Sequence, residues 1–179
     1  GYYITMEAEF GLSRIATLES PDTPAAKTLG SVVFTRANRD DLRVIGDLAG
    51  KRVAAVDPDA FGGYLLAARE MLRQGIDPES DLKELRFVGL PMNRVIDAVR
   101  SGEVDAGIVR ACLPEQLARQ GELRLAEFRV LSHRQDEGLP CALSTPLYPN
   151  WPIAVTRHTD TALAKEVAHA LLSMPAGSE

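Results

Sequence analysis

Residues 48–64 read Leu48-Ala49-Gly50-Lys51-Arg52-Val53-Ala54-Ala55-Val56-Asp57-Pro58-Asp59-Ala60-Phe61-Gly62-Gly63-Tyr64, and a helical pattern continues to Gln74. Lys51-Arg52-Val53-Ala54-Ala55-Val56 reads as a short buried strand. Asp57-Pro58-Asp59 is turn chemistry, because proline presets φ and Asx side chains bond nearby backbone. Leu65, Ala68 and Leu72 recur at helical spacing and predict a helix with those three on one face. Gly75 suits the left-handed cap that ends it. The unit is therefore strand, glycine-bearing loop, helix. Free N–H groups and the dipole at such a helix start favour an anion, and Gly62 and Gly63 would let a ligand approach the backbone. Glycines ahead of a helix are more often plain turn residues, and both readings stay open here. The spacing is that of neither a P-loop nor a dinucleotide fingerprint.

Working outward, the pattern repeats. Residues 85–89 predict a strand, and 91–101 a helix with Pro91 in its first turn and Gly102 at its end. Residues 104–109 predict a strand, and 113–120 a helix closed by Gly121. Strands alternating with helices over 51–120 predict a parallel sheet covered on both faces. In such sheets ligands sit beyond the carboxyl ends of the strands. Three strand-to-helix junctions meet that description, at Ala60–Tyr64, Gly89–Asn93 and Arg110–Cys112. On either side, residues 3–10 predict a helix through Tyr3, Met6 and Phe10, and residues 13–18 and 29–36 predict strands. Residues 19–26 read as a proline-bearing loop. A strand over 153–156 and a helix over 162–174, with Leu163, Val167 and Leu171 on one face, close the chain.

Composition narrows the class. The 179 residues carry 45% hydrophobic side chains and a net charge of −5, with Lys and Arg scattered. That fits a globular domain of one large or two small lobes and excludes a nucleic-acid partner. No apolar run approaches the roughly 20 residues needed to span a membrane. Cys112 and Cys141, the two cysteines, match no zinc spacing. They could pair in an oxidising compartment or stand as two buried thiols. The abrupt Gly1-Tyr2-Tyr3 start, with neither Met nor signal peptide, leads us to expect upstream sequence that is missing here and would carry any targeting signal.

Several segments resemble the phosphonate-type periplasmic substrate-binding proteins. They are Asp47-Leu48-Ala49-Gly50-Lys51-Arg52-Val53-Ala54, Asp57-Pro58 with Gly63-Tyr64-Leu65, and Gly102-Glu103-Val104-Asp105-Ala106-Gly107. Gly1-Tyr2-Tyr3 is similar to a glycine-x-tyrosine segment of the family's first lobe. Phe61-Gly62-Gly63-Tyr64, Val109-Arg110-Ala111-Cys112 and residues 144–152, Ser-Thr-Pro-Leu-Tyr-Pro-Asn-Trp-Pro, are similar to a subgroup. These are the periplasmic sensor domains of tetrathionate-sensor-type two-component histidine kinases. The resemblance implies an α/β fold like that of type II periplasmic binding proteins, with a parallel or mixed sheet covered by helices. One lobe would be nearly complete and the other only partly present. Residues 1–33 would end the first lobe, 34–150 would form the second, and 151–179 would return to the first.

The implied ligand site comprises Tyr3, Ala60, Phe61, Gly62, Gly63, Tyr64, Met92, Asn93, Arg110 and Cys112. Transporter members carry serine and threonine hydroxyls where this chain has Ala60, Phe61 and Gly62. They often carry a histidine where it has Pro91-Met92-Asn93, and aminophosphonate binders an acidic residue where it has Arg110. The implied ligand is a small oxyanion without an amine, phosphonate-like or a sulfur oxyanion, closed upon between lobes. Arg110 would meet it with a guanidinium fork or instead pair with Glu115. Cys112 would meet the ligand as a thiol, bridge to Cys141, or pack at the helix start. Trp151 is expected as a packing anchor, His133 and His158 as solvated, and His169 as half-buried.

The implied protein is a non-enzymatic sensor domain in the periplasm, with no cofactor and no metal. The alternative is the solute-binding component of a phosphonate- or phosphite-type ABC transporter. Its partners would be the small anion, a membrane reached only through a segment outside this chain, and a second copy in a homodimer. An enzyme using Cys112, His133 and Asp136 as nucleophile, base and orienter is the outlying alternative.

Overall fold

The computed structural model describes residues 2–18, 28–135 and 139–175. Gly1, Asp136 and the loop expected over 19–26 lie outside them. In chain order the elements are helix α1 (Tyr2–Phe10), strands β1 (Ser13–Thr17), β2 (Ser31–Arg36) and β3 (Arg52–Ala55), helix α2 (Leu66–Arg73) and strand β4 (Glu84–Phe87). Helix α3 (Asn93–Ser101), strand β5 (Ala106–Arg110), helix α4 (Leu113–Arg119), strands β6 (Phe128–Val130) and β7 (Pro152–Val155), and helix α5 (Thr161–Leu172) follow. They fall into two units, one of Leu29–Leu147 and one of Gly1–Thr28 with Tyr148–Glu179. The first edge lies at 28/29, not 33/34, because β2 is an interior strand whose residues Ser31 to Thr35 are all buried.

The larger unit is built on a five-stranded sheet in the order β4-β3-β5-β2-β6. The strands joined through helices, β3, β4 and β5, run parallel, as a helical crossover requires. Only β2 is reversed, pairing antiparallel with β5 on one side and β6 on the other. Strand alternation sends neighbouring residues to opposite faces. Val33, Val53, Ala55 and Ile108 face α2 and the segment holding Leu42, Ile45 and Leu48. Val32, Phe34, Ala54 and Val109 face α3, through Val95, Ile96 and Val99. Gly107 lets α3 approach, since a Cβ there would meet Val95, Val99 and Phe34 at 2.7–3.0 Å. Gly75, Gly102 and Gly121 all take positive φ just past helix ends, as read from the sequence.

Two local expectations change. The buried face of α2 is not Leu65, Ala68 and Leu72. It is Leu66, Ala67, Ala68, Glu70 and Met71, while Leu65 and Leu72 are exposed. Docking of the Gly62-Gly63 turn on the sheet sets the angle at which the helix enters, and that overrides the leucine pattern. Pro91 is not in the first turn of α3. It follows a cis Leu90–Pro91 peptide, and the helix begins at Asn93.

In the smaller unit β1 and β7 pair antiparallel, with an irregularity between Arg14 and Ala16. Asp160 caps α5 by accepting from the Ala162 and Leu163 amides. No described residue of α1, β1, β7 or α5 is buried. Trp151 is 56% exposed and is therefore not the packing anchor expected. His169 is exposed, not half-buried, and His133 and His158 are exposed as anticipated.

Candidate functional site

The three junctions meet at the carboxyl edge of the parallel strands in the larger unit. After β3, the Val56 carbonyl accepts from Gly89, and the Ala55 carbonyl from Val88, so the first and second junctions are stitched together. Asp57 closes its turn by accepting from the Asp59 amide at 2.9 Å. The chain then enters a π-helical turn, Phe61–Leu65, that runs directly into α2. Its first bonds are Leu65 N to Ala60 O and Leu66 N to Phe61 O. The amides of Gly62, Gly63 and Tyr64 precede those bonds at the turn's N-terminal end, where a helical turn supplies no acceptor of its own.

The glycines act here through packing. A Cβ on Gly63 would lie 2.8 Å from the Val56 side chain, and one on Gly62 would lie 3.2 Å from both Arg110 Cβ and the Gly30 carbonyl. Their smallness seats the turn on β3 and beside β5. The Ser31 hydroxyl donates to the Gly62 carbonyl at 2.6 Å, and the Ser31 amide donates to Thr145 Oγ1 at 2.9 Å.

Arg110 ends β5 half-buried beside that turn. Its Nη2 donates to Gln116 Oε1 at 2.7 Å, and its Nη1 makes a long 3.4 Å bond to the Ala111 carbonyl. Among the described residues it forms no ion pair. The alternative pairing with Glu115 is not made, because Glu115 Oε1 accepts from the Ala142 amide at 2.9 Å. A guanidinium carries five N–H donors, so Arg110 keeps donor capacity on a strand end that packs beside the start of that turn. That combination favours an oxyanion.

The other expected residues are placed as follows. Tyr64 is a core side chain, 8% exposed and edge-on to Phe87 at 5.0 Å, so it can offer a ligand only its backbone. Burial first, and then the charges of Glu79 and Asp77, push its phenol pKa up. Phe61 is half-buried at the turn. Ala60 and Met92 pack against the apolar face shared with α3, and Asn93 is exposed at the start of that helix. Cys112, at φ +66°, is disulfide-bonded to Cys141 and so presents no thiol. This removes it both as a thiol contact for a ligand and as a nucleophile, while Asp136 lies outside the described residues. The bridge ties the segment around Leu139 and Leu143 to the end of β5. Tyr3 lies in the smaller unit, half-buried, with its hydroxyl on Glu7 at 3.1 Å. Partial burial first, and then that bond, raise its pKa.

Sequence reasoning missed Gln116, Ser31 and Thr145. Ser31 stood in a stretch read only as strand, Thr145 in the 144–152 segment noted for its resemblance but not assigned a site role, and the one available signal for Gln116 was its place in the first turns of the helix after Arg110. Among the described residues no three His, Cys, Asp or Glu side chains gather as a metal site, and no helix is long and apolar enough to cross a membrane.

Comparison with known proteins adds the following. The family model of the phosphonate ABC-transporter periplasmic substrate-binding proteins matches residues 1–179. The tetrathionate sensor histidine kinase TtrS of Salmonella typhimurium is 36% identical over 178 residues, covering 98% of this chain and 30% of its own. Among solved structures, PhnD1 of Prochlorococcus marinus in complex with methylphosphonate superposes with a TM-score of 0.71 at 15% identity, covering 99% of this chain and 63% of that one. XAC2383 of Xanthomonas citri bound to ATP gives 0.70 at 19% identity, covering 90% and 56%. The chain thus spans less than two thirds of each of these relatives.

Proposed function

Because the chain belongs to the phosphonate periplasmic substrate-binding protein family, with the type II binding-protein fold and an extracytoplasmic location, we propose that it is the oxyanion-binding sensor domain of a two-component histidine kinase. The observation that carries the ligand class is Arg110, half-buried at the strand edge, with a neutral amide as its side-chain partner and the start of the 61–65 turn at its side. A small dianion bound there would accept from the guanidinium fork and from the Gly62–Tyr64 amides, with Asn93 near the entrance. The larger unit would act as the second lobe of the receptor. The sensor assignment draws its support from the likeness to TtrS, and tetrathionate is the first ligand to try.

Binding would bias two conformations of the whole receptor, with any kinase chemistry elsewhere in the protein. The reading is of a ligand-binding domain that leaves its ligand unchanged. The family description itself favours a second reading, a solute-binding component of a transporter. The test is calorimetric titration with tetrathionate and methylphosphonate, followed by product analysis and by autophosphorylation of the full-length protein with and without ligand. Saturable binding without consumption, coupled to phosphorylation, is expected. No binding, or turnover, overturns the proposal, and binding without a phosphorylation response favours the transporter.

A further inference from the structure

We propose that Gln116 is a positioning residue that holds the Arg110 guanidinium in place while leaving its charge uncompensated, and so sets the site's preference for oxyanions. The inference rests on the reading of Arg110 as the anion contact.

The geometry is specific. Gln116 Oε1 accepts from Arg110 Nη2 at 2.7 Å, a charge-assisted distance. An amide oxygen gives direction but no counter-charge. One residue earlier, about 100° around the helix, stands Glu115, which could have neutralised the arginine. Its carboxylate is turned away, with Oε1 on the Ala142 amide, into a pocket walled by Val32, Phe34, Leu123 and Phe128. Helix α4 thus presents the amide to Arg110 and withholds the acid. The contrast lies within the same unit, where Arg39 and Arg52 both bind Asp105.

Among the described residues no carboxylate lies within ion-pair distance of Arg110, and the two acids nearest the turn in sequence, Asp57 and Asp59, are engaged with each other through the Asp59 amide to Asp57 bond. The 60–64 turn brings only Tyr64 as a titratable group, and its side chain is in the core. Gly30 and Ser31 carry none. The 139–147 segment brings Cys141, which is consumed in the disulfide.

Gln116→Glu keeps the shape of the side chain and adds the missing charge. The introduced carboxylate, when ionised, would pair with Arg110 and compete with the anion, whereas its protonated form would resemble the native amide. Tetrathionate is a suitable probe because it stays a dianion throughout the range. Titrations of the full chain with tetrathionate, and with methylphosphonate at fixed pH, would compare wild type, Gln116→Glu, Gln116→Ala and Arg110→Ala, with circular dichroism to confirm folding.

We expect Gln116→Glu to bind tetrathionate at least tenfold more weakly at pH 7.5. Its affinity should climb steadily as pH falls to 5, with proton uptake on binding, while wild type stays flat. Gln116→Ala should lose severalfold, independently of pH. If wild type binds neither anion, or Arg110→Ala binds as wild type does, the proposed function falls and this inference with it. If Arg110→Ala loses binding but Gln116→Glu binds like wild type, or is weakened equally at every pH, the site stands and the role of Gln116 is refuted.

Discussion

Arg52 and Arg110 sit at opposite ends of parallel strands in one sheet and meet opposite fates. At the strand-start end, Arg52 Nε lies 3.2 Å from Asp105, Arg39 Nη1 lies 2.7 Å from the same carboxylate, and Lys51 reaches Asp41 at 3.0 Å. Arg36 there closes the last carbonyls of α3, donating to Val99 O at 2.7 Å. At the strand-finish end, Arg110 meets an amide and packs beside the start of the 61–65 turn. The difference separates a cation used to build the fold from one left for a ligand. A partly buried charge with its counter-charge present needs nothing further, while one held only by neutral groups gains most from an incoming anion.

The largest expected effect concerns what holds the finish end together, which is a covalent bond in place of an ion-pair network. Replacing Cys112 and Cys141 by serine frees a loop spanning a sequence separation of 29 residues. The loss of stability should be about 3 to 4 kcal/mol by chain entropy, read as a drop in the denaturant midpoint. An unchanged midpoint would mean that the cluster of Ala111, Leu139 and Leu143 suffices alone.

Asp105→Asn should cost about 2 kcal/mol, because it leaves Arg39 and Arg52 facing a neutral group. Burial alone would raise the Asp105 carboxyl pKa, but bonds from Arg52, its amide and Arg39 hold it well below the usual carboxylate range. Its folded value is depressed, so its stabilisation is present above the unfolded value of about 4 and fades as pH falls below it. Wild type should therefore lose stability on acidification below about pH 4, and Asp105→Asn should show a shallower acid limb with anion binding intact. An unaltered acid limb would show that Asp105 is not the group that titrates.

The smallest effect tests the seating of the turn. Gly63→Ala places a methyl against Val56 at 2.8 Å and should cost about 1 kcal/mol by overpacking. It should also weaken anion binding, by lifting the Gly62–Tyr64 amides from beside Arg110. Full affinity in a destabilised variant would separate the turn from the site.

Much of this was legible in the sequence where local chemistry decides. The Asp57-Pro58-Asp59 turn, the helix-ending glycines Gly75, Gly102 and Gly121, and Arg110 at a strand end depend on neighbours within a few positions. What escaped depends on distant contacts. The α2 face turned on how Gly62 and Gly63 seat against β3 and β5, so exposed Leu65 and Leu72 looked better than buried Ala67 and Met71. The Cys112–Cys141 bridge needs the 139–147 segment brought back to the end of β5. The choice between Gln116 and Glu115 as partner of Arg110 turns on helix phase and on the Ala142 amide, neither of which a linear reading supplies. Trp151 shows that aromatic size alone does not secure burial.

The central claim is that one end of the sheet carries structural charge and the other carries charge kept for a ligand. The most direct test measures tetrathionate affinity and thermal stability side by side for Arg110→Ala and Arg52→Ala. The account predicts that Arg110→Ala loses about 1.5 to 3 kcal/mol of binding with its melting temperature nearly unchanged, while Arg52→Ala melts earlier and binds normally. An Arg110→Ala protein that binds tetrathionate as tightly as wild type, or an Arg52→Ala protein that loses binding to the same degree, would contradict it.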